Sequence, residues 1–127
     1  MKALALAAFL GAALIADEFT KADLERWQKE YEVVVKEGRK LFTSPALGSN
    51  DVTCNQCHPN AANTHPETYP KFQKQLGRVA TLAQMINWCI QNPLKGKGLD
   101  PQSPEMTALI AYITEERRGV ALKPGKH

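Results

Sequence analysis

Cys54-Asn55-Gln56-Cys57-His58 carries the strongest structural signal in this chain of 127 residues. Cys-x-x-Cys-His is the attachment pattern of c-type haem. Its spacing allows each thiol to add to one of the two porphyrin vinyl groups, while the adjacent imidazole points at the iron. Neutral imidazole is the usual proximal ligand, and we expect its second ring nitrogen to donate to a backbone carbonyl, which fixes the ring plane. We therefore predict one covalent haem c, attached at Cys54 and Cys57, with His58 as the proximal iron ligand.

Two other chemistries use paired cysteines at this spacing. A redox dithiol of the thioredoxin type is expected beside a βαβ pattern, and the sequence shows none. A zinc site needs a second pair of ligands, and only Cys89, His65 and His127 remain to supply it. Haem attachment is the interpretation that agrees with the rest of the chain.

The first sixteen residues differ in composition from the rest of the chain. Lys2 provides a basic start, residues 3–16 are uncharged and mostly apolar, and Asp17 and Glu18 come directly after them. This arrangement is typical of a secretory signal peptide, and the apolar run is shorter than the ~20 residues of a spanning helix. We predict a signal peptide at 1–16, a cytochrome domain at 17–127, and a periplasmic or otherwise exported protein with no membrane span once the signal is cleaved. An uncleaved membrane anchor is the alternative.

Length and charge limit the classes of function. A chain of 127 residues suits one compact domain, and 43% hydrophobic residues with 23% charged residues indicate a globular protein. The formal net charge of +3 is far from the basic stripe that nucleic-acid binding requires. We therefore expect no nucleic-acid partner.

Apolar residues at helical spacing predict three main helices and no strands. The predicted helices span 20–42, about 78–91, and about 104–117, separated by proline-rich loops. Thr20 and Asp23 form a capping pattern at the first start, and Ser103-Pro104 marks the last. Gly38 interrupts the pattern of the first helix, either as a costly interior residue or as the place where another helix crosses closely. The fold class is therefore all-α, with three helices and long loops wrapped around one haem.

The chain resembles class I cytochromes c, whose terminal helices cross over the haem. The resemblance rests on a glycine and apolar residues of the first helix and on apolar residues of the last: Gly38, Leu41, Phe42, Leu109, Tyr112 and Ile113. The loop at 43–53 is longer than these families usually have before the first cysteine.

The distal iron ligand stays open on the residues alone. Met106 is the default in this class of protein, but Met106 and Met85 both lie on apolar helix faces, where core packing explains them. His65 follows His58 too closely to reach the opposite face of the haem easily. His127 is the last residue of the sequence, and we expect it to be frayed. Cys89 is left without an intramolecular thiol partner, so it is a buried inert cysteine, a disulfide to another protein, or a thiolate ligand.

A narrower resemblance concerns the C-terminal half. The segments Ile86-Asn87-Trp88-Cys89, Asn92-Pro93 and Ser103-Pro104-Glu105-Met106 are similar to thiosulfate dehydrogenases and related sulfur-oxidation cytochromes. In those families the cysteine that matches Cys89 is the axial thiolate of a His/Cys haem. The resemblance thus implies Cys89 as the distal ligand, with Met106 as the alternative. Those enzymes generally carry two haem domains or act with a partner cytochrome, whereas this chain has one motif.

These expectations lead to three candidate functions. The first is a periplasmic electron carrier in a respiratory or sulfur-oxidation pathway, whose redox partner is another cytochrome or a sulfur-oxidising enzyme. Five basic residues either form a positive rim for an acidic partner or belong to an ordinary solvated face: Lys71, Lys74, Arg78, Lys95 and Lys97. The second is a catalytic haem subunit that oxidises a sulfur compound such as thiosulfate, with Cys89 as the reactive thiolate. The third, a ligand sensor, applies if the sixth position is open.

Overall fold

The computed structural model describes residues 19–122. The predicted signal peptide and His127 lie outside this range. The described chain contains four helices and a two-stranded hairpin: α1 (Lys21–Thr43), α2 (Cys54–Cys57), β1 (Lys71–Gln73), β2 (Arg78–Ala80), α3 (Leu82–Gln91) and α4 (Pro104–Glu116). Short 3-10 turns lie at Pro45–Leu47, Pro59–Ala61 and Pro66–Thr68. None of the helices within 19–122 is both long enough and apolar enough to cross a bilayer.

Helix α1 begins at the predicted capping pattern. The Thr20 hydroxyl accepts from the Asp23 amide at 3.1 Å, and the Asp23 carboxylate accepts from the Thr20 amide at 3.1 Å. These reciprocal bonds satisfy two of the amides that a helix start leaves unpaired. The predicted start of the first helix is therefore confirmed.

Helices α1 and α4 cross where Gly38 allows it. A Cβ atom at Gly38 would lie 1.9 Å from the Ala108 carbonyl oxygen and 2.7 Å from the Tyr112 Cβ. Only a residue without a side chain permits this approach. Near the crossing, the Phe42 and Tyr112 rings pack with centroids 5.1 Å apart. The predicted close crossing is confirmed, and it forms the centre of the core.

The second predicted helix begins later than expected. Residues 78–80 form strand β2, which pairs antiparallel with β1 so that Phe72 faces Val79. Helix α3 starts only after Thr81, whose hydroxyl accepts from the Gln84 amide while the Gln84 side chain accepts from the Thr81 amide. The expectation of no strands was wrong because three-residue strands are too short to show a period of two.

The segment between α3 and α4 is held in place by tertiary contacts. The Gly96 amide donates to the Ile90 carbonyl at 2.7 Å, and a Cβ at Gly96 would lie 2.0 Å from the Leu47 carbonyl oxygen. The Asn87 side chain both donates to and accepts from the backbone of Leu99, each at 2.7 Å. These contacts connect the loop to α3 and to the loop before the haem motif.

Candidate functional site

A cavity of about 380 Å³ opens between the haem motif, the hairpin and helices α1, α3 and α4. Its walls are mainly apolar side chains contributed by the helices: Phe42, Leu82, Met85, Ile86, Leu109 and Ile113. Cys54, Cys57 and His58 line the same cavity. The sequence motif is therefore brought against an apolar chamber that the three main helices build together.

The orientation of His58 is set by the short helix α2 and the turn after it. Thr53 and Gln56 form a capping box at the start of α2. The His58 Nδ1 lies 2.8 Å from the Ala62 carbonyl oxygen. Because a carbonyl only accepts, Nδ1 carries the proton, and the lone pair of Nε2 is available to a metal. This backbone bond is the partner that the sequence motif led us to expect.

The three cysteines, all within the described residues, form no disulfide, and all line the cavity. Burial and then the nearby Cys89 raise the pKa of the Cys54 thiol to about 11. Burial and then the charge of Cys57 raise the pKa of Cys89 to about 11. A thiol in such surroundings stays protonated at neutral pH unless it forms a covalent bond or a cation stabilises the thiolate.

The other ligand candidates are separated by the fold. Met106 is 0% exposed and packs in the core with Leu109 and Tyr112, and it is not among the residues that line the cavity. Met85 and His65 do line it. Cys89 therefore faces the cavity, whereas Met106 takes the core-packing position that its helical stripe indicated.

The hairpin contributes cavity residues that the sequence did not reveal. Tyr69, Gln73 and Gln75 line the cavity together with Lys71, which the predicted basic rim already included. The Tyr69 hydroxyl accepts from the Gln73 side chain, and the Lys71 ammonium lies 4.7 Å from the centre of the Tyr69 ring. Burial raises the pKa of Tyr69. Gly77 is the residue that could have indicated this wall in the sequence, because glycine favours turns. In the structure Gly77 lies in the turn between β1 and β2 with φ +64°.

The donor set fits haem c better than a bare metal ion. No group of three or more His, Cys, Asp or Glu side chains within 19–122 could hold an ion. An iron already held by a porphyrin needs only axial donors, and the cavity offers an imidazole and a thiol. Its apolar walls suit the faces of a macrocycle, and Cys54 and Cys57 stand at one wall for attachment.

The helical fold, the cavity and its donors define a cytochrome c domain. The family model for the SoxA/TsdA cytochrome c domain matches residues 37–122, and the chain belongs to this family. Cytochrome c domains bind haem c, so the family implies that cofactor.

Similar proteins agree with this assignment. The chain is 33% identical over 98 residues to a thiosulfate dehydrogenase of Psychrobacter arcticus, a match that covers 67% of this chain and 30% of the relative. It is 28% identical over 107 residues to the L-cysteine S-thiosulfotransferase subunit SoxA of Rhodovulum sulfidophilum, covering 82% and 37%. The crystal structure of SoxXA from P. pantotrophus superposes with a TM-score of 0.67 at 21% identity, over 80% of this chain and 40% of that one. The chain thus spans roughly a third of the length of these curated relatives.

Proposed function

We propose that this chain binds one haem c through thioether links to Cys54 and Cys57, with His58 and Cys89 as axial ligands. In this proposal the protein is a periplasmic electron carrier in the oxidation of inorganic sulfur compounds. The observation that carries it is the convergence of all four side chains on one cavity of about 380 Å³. The family and the names of the relatives support the sulfur pathway.

The residues of the chain have distinct parts in this function. Bound haem supplies a one-electron couple. The Ala62 carbonyl keeps the His58 ring in one tautomer and one orientation. With haem filling the cavity, the apolar walls would keep water from the faces of the macrocycle, which favours electron transfer with little reorganisation. A thiolate from Cys89 donates more strongly than a thioether, so it stabilises ferric iron and lowers the reduction potential.

Replacing Cys89 is the direct test of the distal ligand. Cys89→Ala is expected to abolish the thiolate signature in the electron paramagnetic resonance spectrum of the ferric protein, and Cys89→Met to raise the reduction potential. Met106→Leu, a nearly volume-conserving change that should cost less than about 1.5 kcal/mol, is the matched control and should leave both unchanged. A wild-type protein with the near-infrared band of thioether ligation, lost in Met106→Leu, would contradict the proposal.

A basic, partly apolar surface beside the cavity supports an electron-transfer role. Residues 68–99 contain five basic side chains and no Asp or Glu. Lys71 lines the cavity, and Lys74 and Arg78 belong to the same hairpin. Phe72 and Val79 pair across this hairpin, and each of the two residues is 64% exposed. A redox partner with an acidic rim fits this surface.

Charge reversal on the hairpin tests this surface. The ferrous triple variant Lys71→Glu, Lys74→Glu, Arg78→Glu should be oxidised about tenfold more slowly by ferricyanide at low ionic strength, because steering of anions is lost. The rate with cationic hexaammineruthenium should rise, and both differences should shrink in high salt. Reversing Lys21, Lys29 and Lys36 on α1 changes net charge equally and is the control. If the hairpin variant and the α1 variant changed the rates equally, the hairpin would not be the electron-transfer surface.

Catalysis on thiosulfate is the second candidate function, favoured by the position of Cys89 in an open cavity that Lys71 also lines. Two thiosulfate anions joined through sulfur give tetrathionate and release two electrons, which two ferric haems would accept one at a time. Thiosulfate should then reduce the ferric wild-type protein and the ferric Met85→Leu variant. It should not reduce the ferric Cys89→Ala variant. Wild-type protein that neither becomes reduced nor yields tetrathionate would exclude this candidate.

A further inference from the structure

His65 is a buried imidazole whose polar atoms lack partners. It is 8% exposed and lines the cavity. Both of its ring nitrogens are buried, and neither forms a hydrogen bond with any residue in the described range 19–122. The nearest carboxylate oxygen, Oε1 of the partly exposed Glu67, lies 3.5 Å from Nδ1. The ring is therefore removed from water without a compensating hydrogen bond.

The backbone imposes this placement. His65 has φ 47° and ψ 59°, the left-handed conformation that non-glycine residues rarely adopt. Its carbonyl accepts from the Thr68 amide at 3.1 Å and from the Thr68 hydroxyl at 2.7 Å, which holds the turn closed. Strained backbone of this kind persists where surrounding structure determines it, and it is concentrated at functional sites. The turn thus holds an unpaired imidazole at the cavity wall.

A buried imidazole of this kind needs a hydrogen-bond acceptor within the cavity. Haem carries two propionate carboxylates at its edge, and these are its anionic acceptors. We propose that His65 donates a hydrogen bond from a ring nitrogen to a haem propionate and so fixes the macrocycle in the cavity. This inference rests on the proposed haem binding. His65 acts as a positioning residue that partly offsets the carboxylate charge, which otherwise stabilises ferric iron.

The test compares His65→Leu with His65→Gln in the purified holoprotein. The leucine variant should shift the propionate bending band in the resonance Raman spectrum. It should also lower the equilibrium constant for reduction about threefold. At 59 mV per tenfold change, this is a decrease of about 30 mV in the reduction potential. Glutamine retains a donor and should restore most of both properties. If the leucine variant does not fold, His65→Asn, whose amide is too short to reach, should show the same shifts.

The outcomes separate this inference from the haem proposal. Wild-type protein without covalent haem would refute haem binding itself. Haem-loaded variants with an unchanged propionate band and potential would overturn the role of His65 alone. Loss of the low-spin ferric spectrum in His65→Leu would also overturn it, because His65 would then be an iron ligand.

Discussion

Replacing both Cys54 and Cys57 with alanine is expected to abolish covalent haem attachment completely. No thioether can form, so the macrocycle would be held by axial bonds and apolar contacts alone. If the cavity of about 380 Å³ were left empty, the cost would be on the order of 9 kcal/mol at ~24 cal/mol per Å³, an upper value because the cavity is open to water. Loss of the macrocycle should therefore lower the free energy of unfolding measurably against the ~5–15 kcal/mol of a whole domain.

The measurement is haem that survives denaturation, by peroxidase staining of a denaturing gel and by intact mass. Cys89→Ala removes a cavity thiol without touching the attachment motif, and it should keep the full covalent signal. Each single variant, at Cys54 or Cys57, should keep one link and a reduced yield. A double alanine variant that retains haem after denaturation would contradict the assignment of these two cysteines.

Gly38→Ala is expected to destabilise the haem-loaded protein by about 3 kcal/mol, or on the order of 15 °C in Tm. The new methyl group would lie 1.9 Å from the Ala108 carbonyl oxygen, so α1 and α4 must separate. Separation loosens the Phe42–Tyr112 contact beside the cavity. Because alanine normally gains about 1 kcal/mol over glycine within a helix, a loss of this size reports the crossing and not helix propensity.

Denaturant unfolding followed by far-ultraviolet and Soret circular dichroism measures this change. Lys36→Ala, at an exposed position on the same helix, is the control and should stay within about 0.5 kcal/mol of wild type. A Gly38→Ala protein as stable as wild type would mean that the two helices do not cross as closely as the structure shows.

The attachment motif and the fold class could be predicted from the residues because their signals are local. Cys54, Cys57 and His58 lie within five positions, and the spacing alone indicates their joint chemistry. Helix starts at Thr20 and Ser103 depend on bonds within one turn, so they too can be predicted. The assignments at these positions needed no knowledge of distant contacts.

Three features depended on tertiary structure, and each involves residues far apart in the chain. Strands of three residues carry no periodic signal, so the hairpin wall of the cavity exists only once β1 pairs with β2. Met106 and Cys89 both lie on apolar helix faces, and only the packing of α3 and α4 directs one into the core and the other into the cavity. His65 shows its unmet hydrogen bonds only where the folded turn buries it. The residues alone predicted haem attachment and its position, because the attachment motif is a local pattern. Which side chains line the cavity was decided by long-range packing.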